Sequence, residues 1–149
     1  MEFIKNDAPL SGEIKGIDIN DELTKKEFKS IINFIDENLV VLIKNQSIDD
    51  YKLKDFSRLF GELDLPAPNL YGIHFIPEHP EINVISNVKN NKGTPIGTLG
   101  NVEATWHADM TYLETPPKFG ILYALEVPFD QGNTQFANMY KAYEELPNY

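Results

Sequence analysis

The sequence predicts an α+β domain, mostly β in its second half, in which helices buttress a sheet. Three observations carry this expectation: two capped helical segments lie before Gly61, short runs of strand length follow from Ile82 onward, and turn residues separate those runs. In the first segment Thr24-Lys25-Lys26-Glu27 reads as a capping box, after which Phe28, Ile31, Ile32 and Ile35 recur at helical spacing until Asn38. Residues 39–43 form a continuous apolar run rich in branched side chains, which reads as a buried strand. Asp49 can cap a second helix with Leu53, Phe56, Leu59 and Phe60 turned inward and Gly61 as its stop.

Beyond that helix the four prolines at 66, 68, 77 and 80, with Asn69 and Gly72, mark a long loop. Residues 82–85 read as a strand, and 87–100, polar and holding Gly93, Gly97 and Gly100, as a mobile connection. Those glycines match neither a Walker loop nor a dinucleotide fingerprint. Further strands are expected over 119–125 and 134–136, with turn chemistry at Asp130-Gln131-Gly132-Asn133 between them. A capped helix over 138–146 ends at Pro147. No internal repeat or domain boundary is evident, so residues 1–149 read as one domain.

Composition narrows the function. The chain of 149 residues is 42% apolar and 11% aromatic, in the range of globular proteins. A formal charge of −10 disfavours binding to nucleic acid or to anionic membrane surfaces, which attract basic patches, and leaves small-molecule chemistry as the better fit. Without cysteine there is no disulfide framework, thiolate zinc site or cysteine nucleophile. No apolar run approaches the ~20 residues needed to cross a bilayer, and the first residues have no signal-peptide pattern, so a cytoplasmic location is the expectation.

The chemistry centres on Trp106-His107-Ala108-Asp109. On an extended strand successive side chains alternate between faces, so His107 and Asp109 would share one face and Trp106, Ala108 and Met110 the other. One imidazole and one carboxylate supply two-thirds of the 2-His-1-carboxylate triad that holds non-haem Fe(II) and leaves coordination positions open. Alone, a His-x-Asp pair is equally compatible with a polar strand face. Trp106 reads as a core residue, and Tyr112, Tyr123, Phe129 and Phe136 as packing side chains.

The surrounding run, Trp106-His107-Ala108-Asp109-Met110-Thr111-Tyr112-Leu113-Glu114-Thr115-Pro116-Pro117, then Gly120-Ile121-Leu122-Tyr123-Ala124 and Gly132-Asn133-Thr134, resembles the Fe(II)/2-oxoglutarate dioxygenases of the taurine dioxygenase (TauD/TfdA) family. Upstream, Leu39-Val40-Val41-Leu42-Ile43-Lys44-Asn45-Gln46 and Leu59-Phe60-Gly61-Glu62-Leu63 are similar to that family's N-terminal half, in the same order. The resemblance implies a partial double-stranded β-helix, or jelly roll, with flanking N-terminal helices. It implies His107 and Asp109 as Fe(II) ligands, 2-oxoglutarate as cosubstrate, O2, and hydroxylation of a small organic substrate. Thr134 corresponds to the family's Thr that hydrogen-bonds a 2-oxoglutarate carboxylate, although a turn Thr bonded to its own backbone is the simpler alternative.

The family's second metal His and its 2-oxoglutarate-binding Arg have no counterpart here, since His74 and His79 both precede the metal pair. The expectation is therefore an incomplete domain whose C-terminal half is absent, with uncovered strands open to self-association. An incomplete fragment serving as an interaction or assembly module is the alternative. The resemblance nominates Tyr71, His74 and Glu103 for the substrate pocket. Each has a plainer reading: a packing Tyr, a solvated His and a surface carboxylate. If Glu103 faces the cavity, it favours a cationic or hydrogen-bond-donating substrate over a sulfonate. Pro66, standing where sulfonate-oxidising relatives have a His, points the same way.

Overall fold

The computed structural model describes residues 1–67, 69, 72–99 and 105–147. They divide into two units, Met1–Ile48 with the segment from Ala124 onward, and Asp49–Tyr123. In the first unit β1 (Glu2–Lys5) pairs antiparallel with β2 (Gly12–Lys15), Phe3 opposite Ile14 and Lys5 opposite Gly12. Helix α1 (Lys25–Asn38) then crosses back to β3 (Val41–Leu42), which lies parallel to β2 with Gly12 opposite Val41. The result is a mixed three-stranded sheet in the order β1-β2-β3.

Helix α1 starts where the capping box requires. The Glu27 N–H donates to Thr24 Oγ1 at 3.2 Å, and the Thr24 N–H donates back to Glu27 Oε2 at 2.9 Å. The Thr24 hydroxyl and N–H hold the Glu27 carboxyl below its ordinary range. The helix lays Ile31, fully buried, and Phe34 toward the sheet, where Ile14 and Ile19 are also buried. Contact is close because Gly12 has no side chain: a Cβ there would collide with the Phe34 ring, which stands 5.1 Å from the Phe3 ring. Buried Asn38 closes the helix by donating from Nδ2 to the Phe34 carbonyl at 2.9 Å, while its own carbonyl accepts from the Ser11 N–H at 2.8 Å.

Gln46 extends the sheet's logic past β3. Its Oε1 accepts from the Ile19 N–H at 2.8 Å and its Nε2 donates to the Ile17 carbonyl at 3.0 Å, so a side chain supplies the bonds a longer strand would have made.

In the second unit Asp49 caps α2 (Asp50–Arg58), accepting from the Lys52 N–H at 2.8 Å, and Phe56 is buried. Phe56, Phe60 and Phe119 form a chain of edge-on rings 5.4 and 5.3 Å apart. Short parallel strands β4 (Ile85–Ser86) and β5 (Thr98–Leu99) pair directly. Gly97 permits their approach, since a Cβ there would lie 2.8 Å from both Ser86 N and the Val84 carbonyl. In the first unit, α3 (Met139–Glu144) is capped by Asn138, which accepts from the Lys141 N–H at 3.1 Å and donates to the Pro9 carbonyl at 2.7 Å.

Several sequence-based expectations are corrected. The run 39–43 shortens to β3: Leu39 caps α1 at φ 65° and Leu42 is exposed. The strand expected over 82–85 is only the pair Ile85–Ser86. The connection after β4 is a hydrogen-bonded excursion, because Asn90 Oδ1 accepts from the N–H groups of Lys92 (2.9 Å) and Thr94 (3.0 Å) and the Ile96 N–H reaches the Val88 carbonyl at 3.1 Å. Residues 119–125 and 134–136 are not strands, since an apolar run becomes one only when a partner satisfies its backbone. Leu59, Trp106, Tyr112, Phe129 and Phe136, expected to pack, are exposed, Phe129 at 91%. The turn before Thr134 does form, with Asp130 at φ 56° and Gly132 at φ 67°. Among the described residues no helix is long and apolar enough to cross a membrane.

The cap on α1 gives a direct test. Thr24→Ala removes the hydroxyl that accepts from the Glu27 N–H and leaves only the backbone half of the box, and should lower stability by about 1 kcal/mol in urea unfolding, with Thr24→Ser retaining most of it. Equal midpoints for all three proteins would count against the cap's importance.

Candidate metal centre

His107 and Asp109 sit in the second unit on irregular backbone, which corrects the expected metal strand. A turn begins at Asp109, Met110 takes φ 50°, and the Leu113 N–H closes onto the Met110 carbonyl at 3.1 Å. His107 Nε2 lies 3.0 Å from Asp109 Oδ1, and both side chains are exposed, 60% and 83%.

The other ring nitrogen is fixed as well. His107 Nδ1 is 2.7 Å from the Thr105 carbonyl, an oxygen that only accepts, so Nδ1 carries a hydrogen. A carboxylate also only accepts, so the 3.0 Å contact with Asp109 requires a hydrogen on Nε2 too. Both contacts therefore favour the protonated ring. The Thr105 carbonyl, then the hydrogen bond and charge of Asp109, raise the His107 pKa above its ordinary value.

The same arrangement fits a divalent metal. With Nδ1–H anchored on a backbone carbonyl, loss of the Nε2 proton gives the tautomer a metal needs, for an ion lying to one side of the Nε2–Oδ1 line. Adjacent corners of an octahedron with metal–ligand bonds of about 2.1 Å are roughly 3 Å apart, close to the separation found here. An imidazole and a carboxylate form a donor pair suited to Fe(II). Among the described residues no group of three or more His, Cys, Asp or Glu side chains gathers around one point.

Thr134 is exposed on the first unit, two residues after Gly132. His74 is exposed in the segment between α2 and β4. Tyr71 and Glu103 lie outside the described residues. A groove of about 470 Å³ in the first unit, lined by Pro9, Leu10, Phe136, Asn138 and Lys141 among others, contains none of them. The Thr105 carbonyl was not legible in advance, because a main-chain oxygen carries no residue-type signal.

Residues 6–149 match the family described as taurine catabolism dioxygenase TauD, TfdA, and the chain belongs to that family. It is 34% identical over 146 residues to pentalenolactone F synthase of Streptomyces avermitilis, covering 95% of this chain and 46% of that protein. It is 27% identical over 139 residues to an alpha-ketoglutarate-dependent sulfate ester dioxygenase of Pseudomonas putida, covering 93% and 42%. A 2,4-dichlorophenoxyacetate dioxygenase of a Burkholderia species, also named alpha-ketoglutarate-dependent, is 26% identical over 143 residues, covering 91% and 48%. The chain thus spans a little under half the length of these relatives.

A raised His107 pKa means that folding favours the protonated ring. The stabilisation is fully present below the unfolded-state pKa and is lost as pH rises through the folded-state value. NMR titration of the metal-free chain should place the His107 pKa above the ordinary imidazole value, and Asp109→Asn should lower it. A His107 pKa unmoved by Asp109→Asn would show that the two groups do not interact in solution.

Proposed function

We propose that this chain is the N-terminal portion of an Fe(II)- and 2-oxoglutarate-dependent dioxygenase that hydroxylates a small organic substrate. The observation that carries this reading is the 3.0 Å approach of His107 Nε2 to Asp109 Oδ1, with Nδ1 anchored on the Thr105 carbonyl, in a chain of the TauD/TfdA family. Residues 1–149 would form part of a single cytoplasmic domain whose core is a double-stranded β-helix. When bound, Fe(II) couples the oxidation of 2-oxoglutarate by O2 to hydroxylation of a C–H bond. His107 and Asp109 hold the ion, and the Asp109 carboxylate offsets part of its charge. The Thr134 hydroxyl orients a 2-oxoglutarate carboxylate. Tyr71, His74 and Glu103 form part of the substrate wall, where Glu103 favours a cationic or hydrogen-bond-donating group and repels a sulfonate.

Anaerobic titration tests this reading on the chain itself. Fe(II) followed by 2-oxoglutarate should produce a weak visible charge-transfer band. His107→Ala and Asp109→Ala should each weaken Fe(II) binding by about tenfold or more, and Thr134→Val should weaken 2-oxoglutarate binding without changing that for iron. Equal iron retention in wild type and both ligand variants would overturn it.

A second reading, assembly through a second copy of this chain, is favoured by Leu125, Val127 and Phe129, exposed at alternate positions on backbone that forms no strand. An identical extended segment can satisfy both this backbone and its apolar side chains. Sedimentation velocity should show concentration-dependent dimers that a Leu125→Ser, Val127→Ser, Phe129→Ser variant abolishes. A wild-type monomer at every concentration would exclude this reading.

A further inference from the structure

One side chain joins the two ends of the first unit. Asn138 Oδ1 accepts from the Lys141 N–H at 3.1 Å, which caps α3, while Nδ2 donates to the Pro9 carbonyl at 2.7 Å, across 129 positions of sequence. Capping alone asks only for an acceptor, which Thr24 and Asp49 supply at α1 and α2. At α3 the amide adds a donor, and that donor reaches Pro9.

The acceptor is itself held. Pro9 lies in the loop between β1 and β2, where Asn6 donates from its N–H to the Ser11 carbonyl at 3.2 Å and from Nδ2 to Ser11 Oγ at 2.8 Å. The Ser11 N–H in turn donates to the main-chain carbonyl of buried Asn38 at 2.8 Å. Hydrogen bonds thus lead from the end of α1, through this loop, to the start of α3.

Thr134 lies four residues before Asn138, and Phe136 and Ala137, between them in sequence, line the same groove as Pro9 and Leu10. Among the described residues no hydrogen bond anchors 130–137, so Asn138 is the nearest fixed point for the segment that carries Thr134.

We propose that Asn138 is a positioning residue for 2-oxoglutarate: by gripping the Pro9 carbonyl it fixes the segment that presents the Thr134 hydroxyl. This rests on the reading above that Thr134 orients a 2-oxoglutarate carboxylate. Asn138 acts through Thr134 and makes no contact with the cosubstrate.

Two substitutions separate the grip on Pro9 from the cap. Asn138→Asp keeps an acceptor for the Lys141 N–H and removes the donor, and Asn138→Ser keeps a cap without added charge but is too short to reach Pro9. In anaerobic titration of the full chain with Fe(II) and then 2-oxoglutarate, both should weaken 2-oxoglutarate binding by about threefold or more, the scale of one exposed hydrogen bond, and leave Fe(II) affinity unchanged. The double variant Thr134→Val, Asn138→Asp should bind 2-oxoglutarate no more weakly than Thr134→Val alone, because nothing is left to position. In the metal-free chain, backbone order parameters from nitrogen-15 relaxation should fall over 130–137 in both Asn138 variants and stay unchanged over 25–38. Additive losses in the double variant, a parallel loss of Fe(II) affinity, or order parameters unmoved over 130–137 would overturn the inference. A wild-type chain that binds Fe(II) but no 2-oxoglutarate, or a Thr134→Val variant that binds it normally, sinks the reading of Thr134 and this inference with it. Binding that falls in Thr134→Val yet is unaffected in both Asn138 variants sinks the positioning role alone.

Discussion

The close approach of α1 to its sheet is the constraint on which the first unit depends, and it exists because position 12 has no side chain. Without a Cβ on Gly12 the Phe34 ring settles against β2, Ile31 is fully enclosed, and Phe3 stacks obliquely on Phe34. Helix and strands are then locked together at the helix end, where Asn38 satisfies a carbonyl of its own last turn and receives the Ser11 N–H. Any side chain at position 12 would push the helix outward and pull that junction apart, because both contacts share the same few ångströms.

The His107–Asp109 pair obeys a looser constraint. Two neighbouring side chains, with one alanine between them, meet on irregular backbone. The anchoring of Nδ1 on a main-chain carbonyl restrains the ring and leaves Nε2 as the nitrogen that faces Asp109.

What was legible in the sequence was local. Thr24 with Glu27, Asp49 and Asn138 announce helix starts through bonds that span three residues, so they are visible without knowing the fold. Strands depend on partners distant in sequence, and here the reading failed in both directions. β1 and β2 went unnoticed because Glu2, Lys5, Glu13 and Lys15 make short polar runs whose pairing is not written in either one. Residues 119–125 looked like a strand because they are apolar, yet a β-run without a ladder is only an exposed apolar segment. At residues 107–109 pleat alternation predicted that the two side chains share a side; the segment is not a strand, yet His107 Nε2 and Asp109 Oδ1 still meet at 3.0 Å. Family membership was legible because it is a property of order and spacing, which survive even where secondary structure is misjudged.

Trp106 is the sole tryptophan of the chain, it immediately precedes His107, and it stands 65% exposed instead of lying in a core. An indole so placed is an optical probe beside the proposed metal pair. Its emission arises from one position only, so quenching by an arriving transition ion, or a shift as water around the ring is displaced, reports on this segment without labels and without interference from elsewhere in the molecule.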